Sequence, residues 1–162
     1  MRRDSLKAFT MIELLLVVII LATIATLAIP NFSRSFVRLQ LEQTANHISY
    51  VMRYAQSRAI QKNLQQKLVF NANFREYTLQ QEAFSPEETT PEKKFGKIFG
   101  RWGQTFSIPA GIEVQSLQNE INFFPDGKID RLRIYVCQKD QCMTVTTKEQ
   151  QGYVDVYNER LP

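Results

Sequence analysis

Residues 8–18 read AFTMIELLLVV, an apolar run with one acidic residue, Glu13, near its start. From Leu14 to Ile29 only two threonines interrupt the apolar sequence. Counted from Phe9, the run spans about 31 Å of α-helix at 1.5 Å per residue, which matches the hydrocarbon thickness of a bilayer. We therefore predict a transmembrane helix. A carboxylate at membrane depth is costly, so Glu13 indicates a function that involves a partner.

The flanks of this run predict its orientation. Residues 1–8 contain three basic residues and one acidic residue, and basic flanks favour the cytoplasmic side. The N-terminus is thus predicted in the cytoplasm, with the rest of the chain exported. Small residues near the end of the run, Ala25 and Ala28, leave cleavage as an ordinary secretory signal open. The pattern that follows the run argues against that alternative.

Beyond Pro30 the apolar pattern becomes one-sided, with apolar residues at alternating steps of four and three. This spacing predicts an amphipathic helix packed against a sheet. Arg38 and Glu42 on its polar side can pair at i, i+4. With the apolar run, Phe9 to about Lys62 is predicted to form one helix of roughly 80 Å, bent or locally melted at Pro30. The predicted apolar stripe consists of Leu41, Ala45, Ile48, Met52, Ala55 and Ala59.

After Asn63 the periodicity changes to short β-rich runs separated by turn sequences. The chain has 162 residues, enough for one modest domain plus an anchor, so we predict an α+β fold with the long helix on an antiparallel β-rich domain. The predicted strands are 67–70, 75–81, 105–108, 112–117, 121–124, 132–136, 143–147 and 153–157. The predicted turns are 71–73, 109–111, 125–127 and 138–141.

Residues 85–103 are charged, rich in proline and glycine, and aperiodic. Such a stretch is typical of a long surface loop. We expect its three large aromatic residues, Phe95, Phe99 and Trp102, to pack against the domain rather than to form a binding surface.

The N-terminal features together resemble a type IV pilin or a type II secretion pseudopilin. They are a basic leader, a small residue, then Phe9-Thr10-Met11-Ile12-Glu13, an apolar stretch and Pro30. The resemblance implies that a prepilin peptidase cuts between Ala8 and Phe9 and methylates the new amine of Phe9. Glycine is usual before the cut, so Ala8 departs from the family pattern. The implied domains are a leader (1–8), a transmembrane helix half (9–30), an amphipathic helix half (31–63) and a periplasmic β-rich domain (64–162).

For Glu13 the resemblance implies assembly. In a filament its carboxylate would meet the positively charged N-terminal amine of a neighbouring subunit's Phe9. Deleting one partner of a buried ion pair costs about 3–5 kcal/mol, although the intact pair is close to neutral against an apolar substitute. Such a pair mainly fixes the register between neighbouring subunits and adds little to the stability of the filament. The alternative is a carboxylate that snorkels to the lipid headgroups.

The runs SIPAGIEVQ, INFFPDGKID and QGYVDVY, within residues 105–157, resemble the family of type II secretion pseudopilin H and minor pilin T. This implies a minor pseudopilin, single-pass in the bacterial inner membrane, with its C-terminal domain in the periplasm. The implied partners are the prepilin peptidase and methyltransferase, inner-membrane lipid, and other pseudopilins or pilins through helix packing. Two alternatives stay open: a type IV pilus minor pilin for pilus biogenesis or DNA uptake, and an uncleaved membrane-anchored binding domain.

Nucleic-acid binding has little support in the sequence. Minor pilins that take up DNA have an arginine tail similar to Gly-Arg-x-Arg, but the matching residues here are Gly152-Tyr153-Val154-Asp155. DNA affinity needs several cations acting together, and Arg160 alone does not supply them. A solvated loop face explains the remaining basic residues better than a DNA-binding patch, namely Lys93, Lys94, Lys97 and Arg101.

Cys137 and Cys142 bracket four residues between two predicted strands. We predict a disulfide between them if the domain lies in an oxidising compartment, worth about 2 kcal/mol in the loop-entropy model. A zinc site is disfavoured because four ligands are usual and the single histidine, His47, lies in the predicted helix.

We expect no enzymatic activity and no cofactor. The sequence offers no His, Cys and Asp set for nucleophilic catalysis. Asp126, Asp130 and Asp140 lie in turn-like settings where aspartate is common. Calcium binding by these turns stays open, although their spacing matches no known ligand loop.

Overall fold

One long helix, α1 (Met11–Lys62), opens the computed structural model. The structure describes residues 9–83, 94–147 and 152–161, without the side chains of residues 27–35. The leader 1–8 and the side chain of Pro30 therefore lie outside the described residues, and the bend at Pro30 stays a prediction. The chain forms two compact units, Met1–Val37 and Arg38–Pro162.

The predicted amphipathic stripe is confirmed in the second unit. All six of its residues, from Leu41 to Ala59, are at most 2% exposed. Val51, Thr44 and Ser49 are also buried, so the buried face is wider than the stripe. The helix contributes to one core cluster that also contains residues of both sheets, and a helix packed on two sheets buries more than one narrow stripe.

The first sheet has five antiparallel strands. They lie in the order β3-β2-β1-β6, and β4 pairs with the other end of β2. Alternation along β1 buries Leu68 and Phe70, as expected for a sheet with one face on the core. The strands are β1 (Gln66–Phe70), β2 (Glu76–Glu82), β3 (Phe95–Lys97), β4 (Phe106–Ser107) and β6 (Glu120–Phe123).

The second sheet has four antiparallel strands in the order β5-β7-β8-β9. Ile134, Val136 and Val145 of its two central strands are fully buried. The strands are β5 (Glu113–Ser116), β7 (Arg133–Gln138), β8 (Gln141–Thr146) and β9 (Asp155–Tyr157). A helix packed on antiparallel sheets is the α+β, pilin-like architecture that the sequence predicts.

Predicted turns form where the sequence places them. Gly127 has φ +85, a region that favours glycine, and its N–H donates to the carbonyl of Phe124 at 3.0 Å. In the β1–β2 hairpin the Asn71 side-chain oxygen accepts from the backbone N–H of Arg75 and of Glu76. An asparagine side chain that satisfies nearby backbone donors is the reason this residue favours turns.

The predicted disulfide is confirmed. Cys137 and Cys142 are directly opposed in the β7–β8 hairpin, and their sulfurs are bonded at 2.07 Å. Lys139, in the turn between them, has φ +54.

The prediction of a loop over residues 85–103 is wrong in its second half. β3 and a 3-10 helix, Arg101–Gly103, form there, while residues 84–93 lie outside the described part. A strand of three residues is too short to show the alternation of side chains between the two faces of a sheet. Trp102 and Phe95 pack against the domain as expected, but Phe99 is 98% exposed, which contradicts the expectation for that residue.

Over the side chains that the structure describes, no helix has the length and apolar character needed to cross a membrane.

Candidate assembly site on the N-terminal helix

The first turn of α1 holds Glu13 through Thr10. The backbone N–H of Glu13 donates to the Thr10 carbonyl at 3.1 Å and is 3.3 Å from the Thr10 hydroxyl oxygen. Thr10 precedes the first helical residue and acts as its cap. Thr-x-x-Glu is also the spacing of a capping box, so the sequence itself carries the signal for this cap.

The electrostatics of this turn favour a negative charge. The N-terminus of a helix carries a partial positive charge, which stabilises an acidic side chain in the first turn. Glu13 is exposed, and within residues 9–83 its carboxylate has no hydrogen-bond or ion-pair partner. Among these described residues, no donor occupies its oxygens.

The rest of this segment needs no polar partner. Every described side chain from Phe9 to Thr26 is exposed. The Thr23 hydroxyl donates to the Ile20 carbonyl at 2.8 Å and the Thr26 hydroxyl to the Ala22 carbonyl at 2.9 Å. Because the threonines are satisfied within the helix, Glu13 stands out as the charged side chain of residues 9–26.

A second candidate, a cleft of about 390 Å³, lies between α1 and the β4 region. At its base the Nδ1 atom of His47 is 2.5 Å from the Tyr77 hydroxyl oxygen, and Phe106 packs against both rings. Burial, and then the charge of Arg101, lower the pKa of His47. Burial raises the pKa of Tyr77. Both groups therefore stay neutral, and Tyr77 can donate to His47.

We expect this contact to make stability depend on pH. The pKa of His47 in the folded chain lies below its ordinary value of 6.5, so the unfolded chain binds the proton more readily. Stability is complete above pH 6.5 and falls as the pH drops through that value towards the folded pKa. The measurement is urea unfolding at about pH 7.5 and about pH 5.5, in wild type and in His47→Gln.

The loss of stability at the lower pH should be smaller in His47→Gln than in wild type. Carboxylates titrate in both proteins, so the difference between them isolates the imidazole. Equal losses in the two proteins would show that His47 is not responsible.

Two polar side chains of α1, Gln56 and Arg53, bind backbone carbonyls far along the chain. The Gln56 side-chain amide donates to the carbonyls of Gly127 and Gly152, at 2.8 and 2.7 Å. Arg53 donates to the carbonyl of Val154 at 2.6 Å. They attach the turn after β6 and the segment before β9 to the helix. Polar residues beside an apolar stripe do not reveal such contacts, since their partners are backbone atoms far along the chain.

Two of the three turn aspartates, Asp126 and Asp130, have structural contacts. Asp126 pairs with Lys128 at 2.6 Å, and hydrogen bonds from Lys128 lower the pKa of Asp126. Asp130 accepts from the backbone and side chain of Asn122. In the described ranges no three His, Cys, Asp or Glu side chains come together as metal ligands.

The segment that matches the arginine tail carries no cationic cluster among its described residues. The carbonyl of Val154 is bound by Arg53, and Tyr153 is exposed. Arg160 lies over the ring of Tyr135, 4.9 Å from its centroid, and Lys93 lies outside the described residues.

The sequence matches no protein-family model and no curated protein. The fold is similar to the minor pseudopilin EpsH from the Type 2 Secretion System of Vibrio cholerae. In one EpsH structure the TM-score is 0.61 at 12% identity, covering 78% of this chain and 99% of that chain. In another the TM-score is 0.59 at 11% identity, with coverages of 74% and 97%.

It is also similar to the type IV minor pilin FimU of Pseudomonas aeruginosa, with a TM-score of 0.53 at 14% identity, covering 74% of this chain and 89% of that chain. The chain thus has the pilin-like fold of minor pseudopilins and minor pilins, as the sequence resemblance implies.

Proposed function

We propose that this protein is a minor pseudopilin of a type II secretion system. It assembles through its N-terminal helix into a periplasmic pseudopilus that helps to export folded proteins, without being an enzyme. The observation that carries this is the capped first turn of α1, which presents on a mainly apolar, exposed segment a carboxylate that has no partner among the described residues. The similarity of the fold to EpsH supports the same class.

In the proposed assembly pathway, the subunit is first inserted into the inner membrane. Residues 9–30 lie in the bilayer, with the N-terminus in the cytoplasm and residues 64–162 in the periplasm. A prepilin peptidase removes residues 1–8 after Ala8 and methylates Phe9. Helix packing then brings the subunit together with other pseudopilins.

The spacing of the two charges suits this assembly. Phe9 and Glu13 are four residues apart, about 6 Å of rise along a helix. A neighbouring subunit displaced by about one helical turn would place its new amine level with this Glu13. The pair is worth most in an environment from which water is excluded.

The N-terminus of the native protein tests the proposal. We expect intact-mass measurement of chain purified from its native membrane to give a protein that begins at Phe9 and carries one added methyl group. A matched Phe9→Ala variant should show whether cleavage and methylation are lost together. A chain that still begins at Met1, or one cut near Ala28, would refute assembly by this route.

A type IV pilus minor pilin is the second candidate, and the similarity to FimU favours it. DNA binding with a steep salt dependence would favour a pilus with DNA uptake over secretion. An uncleaved anchored binding domain would retain Met1.

A further inference from the structure

The segment from Ile98 to Gly103, here the Phe99 loop, presents an apolar ring to solvent. Ile98 is 6% exposed and points into the core, whereas Phe99 is 98% exposed. Lys97 and Arg101 beside it are also exposed. A fully exposed phenylalanine between two cations is not required by packing within this chain.

The loop is held in one shape. The N–H of Gly103 donates to the Gly100 carbonyl at 3.1 Å, and Gly100 has φ +88. A Cβ added at Gly103 would lie 1.5 Å from the Ile98 carbonyl oxygen, so this close approach requires glycine. Trp102 stacks on Tyr54 of α1, with ring centroids 4.3 Å apart. Because both ends are anchored, the backbone that carries Phe99 is already ordered, which lowers the ordering cost of binding.

The loop itself is basic. Residues 94–112 contain three Lys and Arg and no Asp or Glu. Glu82 of the neighbouring strand β2 lies opposite Phe95, at the end of β3 away from Phe99. Lys97 and Arg101 therefore favour a partner that carries carboxylates or phosphates.

The contacts of the aromatic rings favour a protein over a nucleic acid as the partner of this loop. Single-stranded nucleic acid stacks its bases on successive free aromatic faces. Here Trp102 is covered by groups of this chain, since Tyr54 stacks on it and the Arg101 guanidinium lies 5.8 Å over it. Phe99 alone is nearly fully exposed among the rings of this described face. An aromatic anchor on an ordered backbone, beside an exposed arginine, suits a protein–protein interface, where aromatic residues and Arg are enriched.

We propose that the Phe99 loop is a docking site for an acidic protein segment, which receives the Phe99 ring against its apolar side chains and pairs its carboxylates with Lys97 and Arg101. This contact is separate from assembly through Glu13, and it operates on the unassembled subunit as well.

The test is a titration of the full-length chain in non-ionic detergent with a short labelled peptide of alternating Glu and Leu. Trp102 is the single tryptophan, so a change in its fluorescence locates binding at this loop. We expect saturable binding that weakens with salt, and a dissociation constant about tenfold higher in the double variant Phe99→Ala, Arg101→Gln. The matched control, Leu117→Ala with Arg131→Gln, removes an exposed leucine and an exposed arginine from two other loops and should bind as wild type does.

Three results would overturn the proposal. The first is the absence of saturable binding, or binding that the Phe99 and Arg101 changes leave unaltered. The second is equal affinity for a matched peptide of Lys and Leu. The third is tighter, Phe99-dependent binding of oligothymidylate or of anionic phospholipid vesicles, which would make the face a nucleic-acid or membrane site. Thermal unfolding of each variant establishes that it is folded.

Discussion

Glu13→Ala will insert into the membrane but will be excluded from the filament. The substitution leaves the apolar run intact, and removing a charge lowers the cost of insertion. In the filament it leaves the neighbouring amine of Phe9 without its partner. An unpaired buried charge costs about 3–5 kcal/mol, so incorporation should fall roughly 100-fold or more. The measurement is the fraction of the variant in sheared filaments relative to the membrane fraction.

Two further substitutions separate the charge from the helix cap. Glu13→Gln keeps a side chain that can complete a capping box with Thr10 but has no charge, whereas Glu13→Asp keeps the charge. We expect glutamine to fail as alanine does and aspartate to retain part of the incorporation. If glutamine assembles normally, Glu13 acts through the helix N-terminus, and the ion pair with a neighbouring subunit is excluded.

Phe70→Ala will produce the largest loss of folding stability among the substitutions considered. Phe70 is 1% exposed, and its ring lies 5.5 Å from that of Phe74 and 5.4 Å from that of Tyr77. Truncation of a buried phenylalanine costs about 3–5 kcal/mol, because apolar contacts are lost and a cavity remains. For a domain of this size the midpoint of thermal unfolding should fall by about 15 °C. Urea unfolding followed by Trp102 fluorescence measures the loss.

The control is Leu117→Ala, which truncates to alanine an apolar side chain that is 95% exposed. It should change the free energy of unfolding by less than about 0.5 kcal/mol. A loss under about 1 kcal/mol in Phe70→Ala would contradict the placement of Phe70 in the core. Phe70→Leu should be intermediate.

The first turn of α1 shows which features of the candidate site can be predicted from the local sequence. Glu13 can be recognised from the sequence alone, because a carboxylate in an apolar run is rare. The cap formed by Thr10 was equally local and could have been read from Thr-x-x-Glu. Whether Glu13 meets Phe9 of another copy depends on contacts between chains, which one chain does not contain.

Hydrophobic periodicity in the sequence predicted the long amphipathic helix and most strands. Turn residues predicted the turn at Gly127, and the spacing of the two cysteines predicted their disulfide. Each of these features depends on interactions between residues that are close together in the sequence, so the local sequence is enough to predict it. Tertiary structure alone decided that Gln56 and Arg53 bind distant carbonyls, that a short edge strand forms within residues 94–103, and that Phe99 stands in solvent while Ile98 is buried. Those outcomes depend on which backbone surfaces meet in space. Neighbouring residues in the sequence do not specify them.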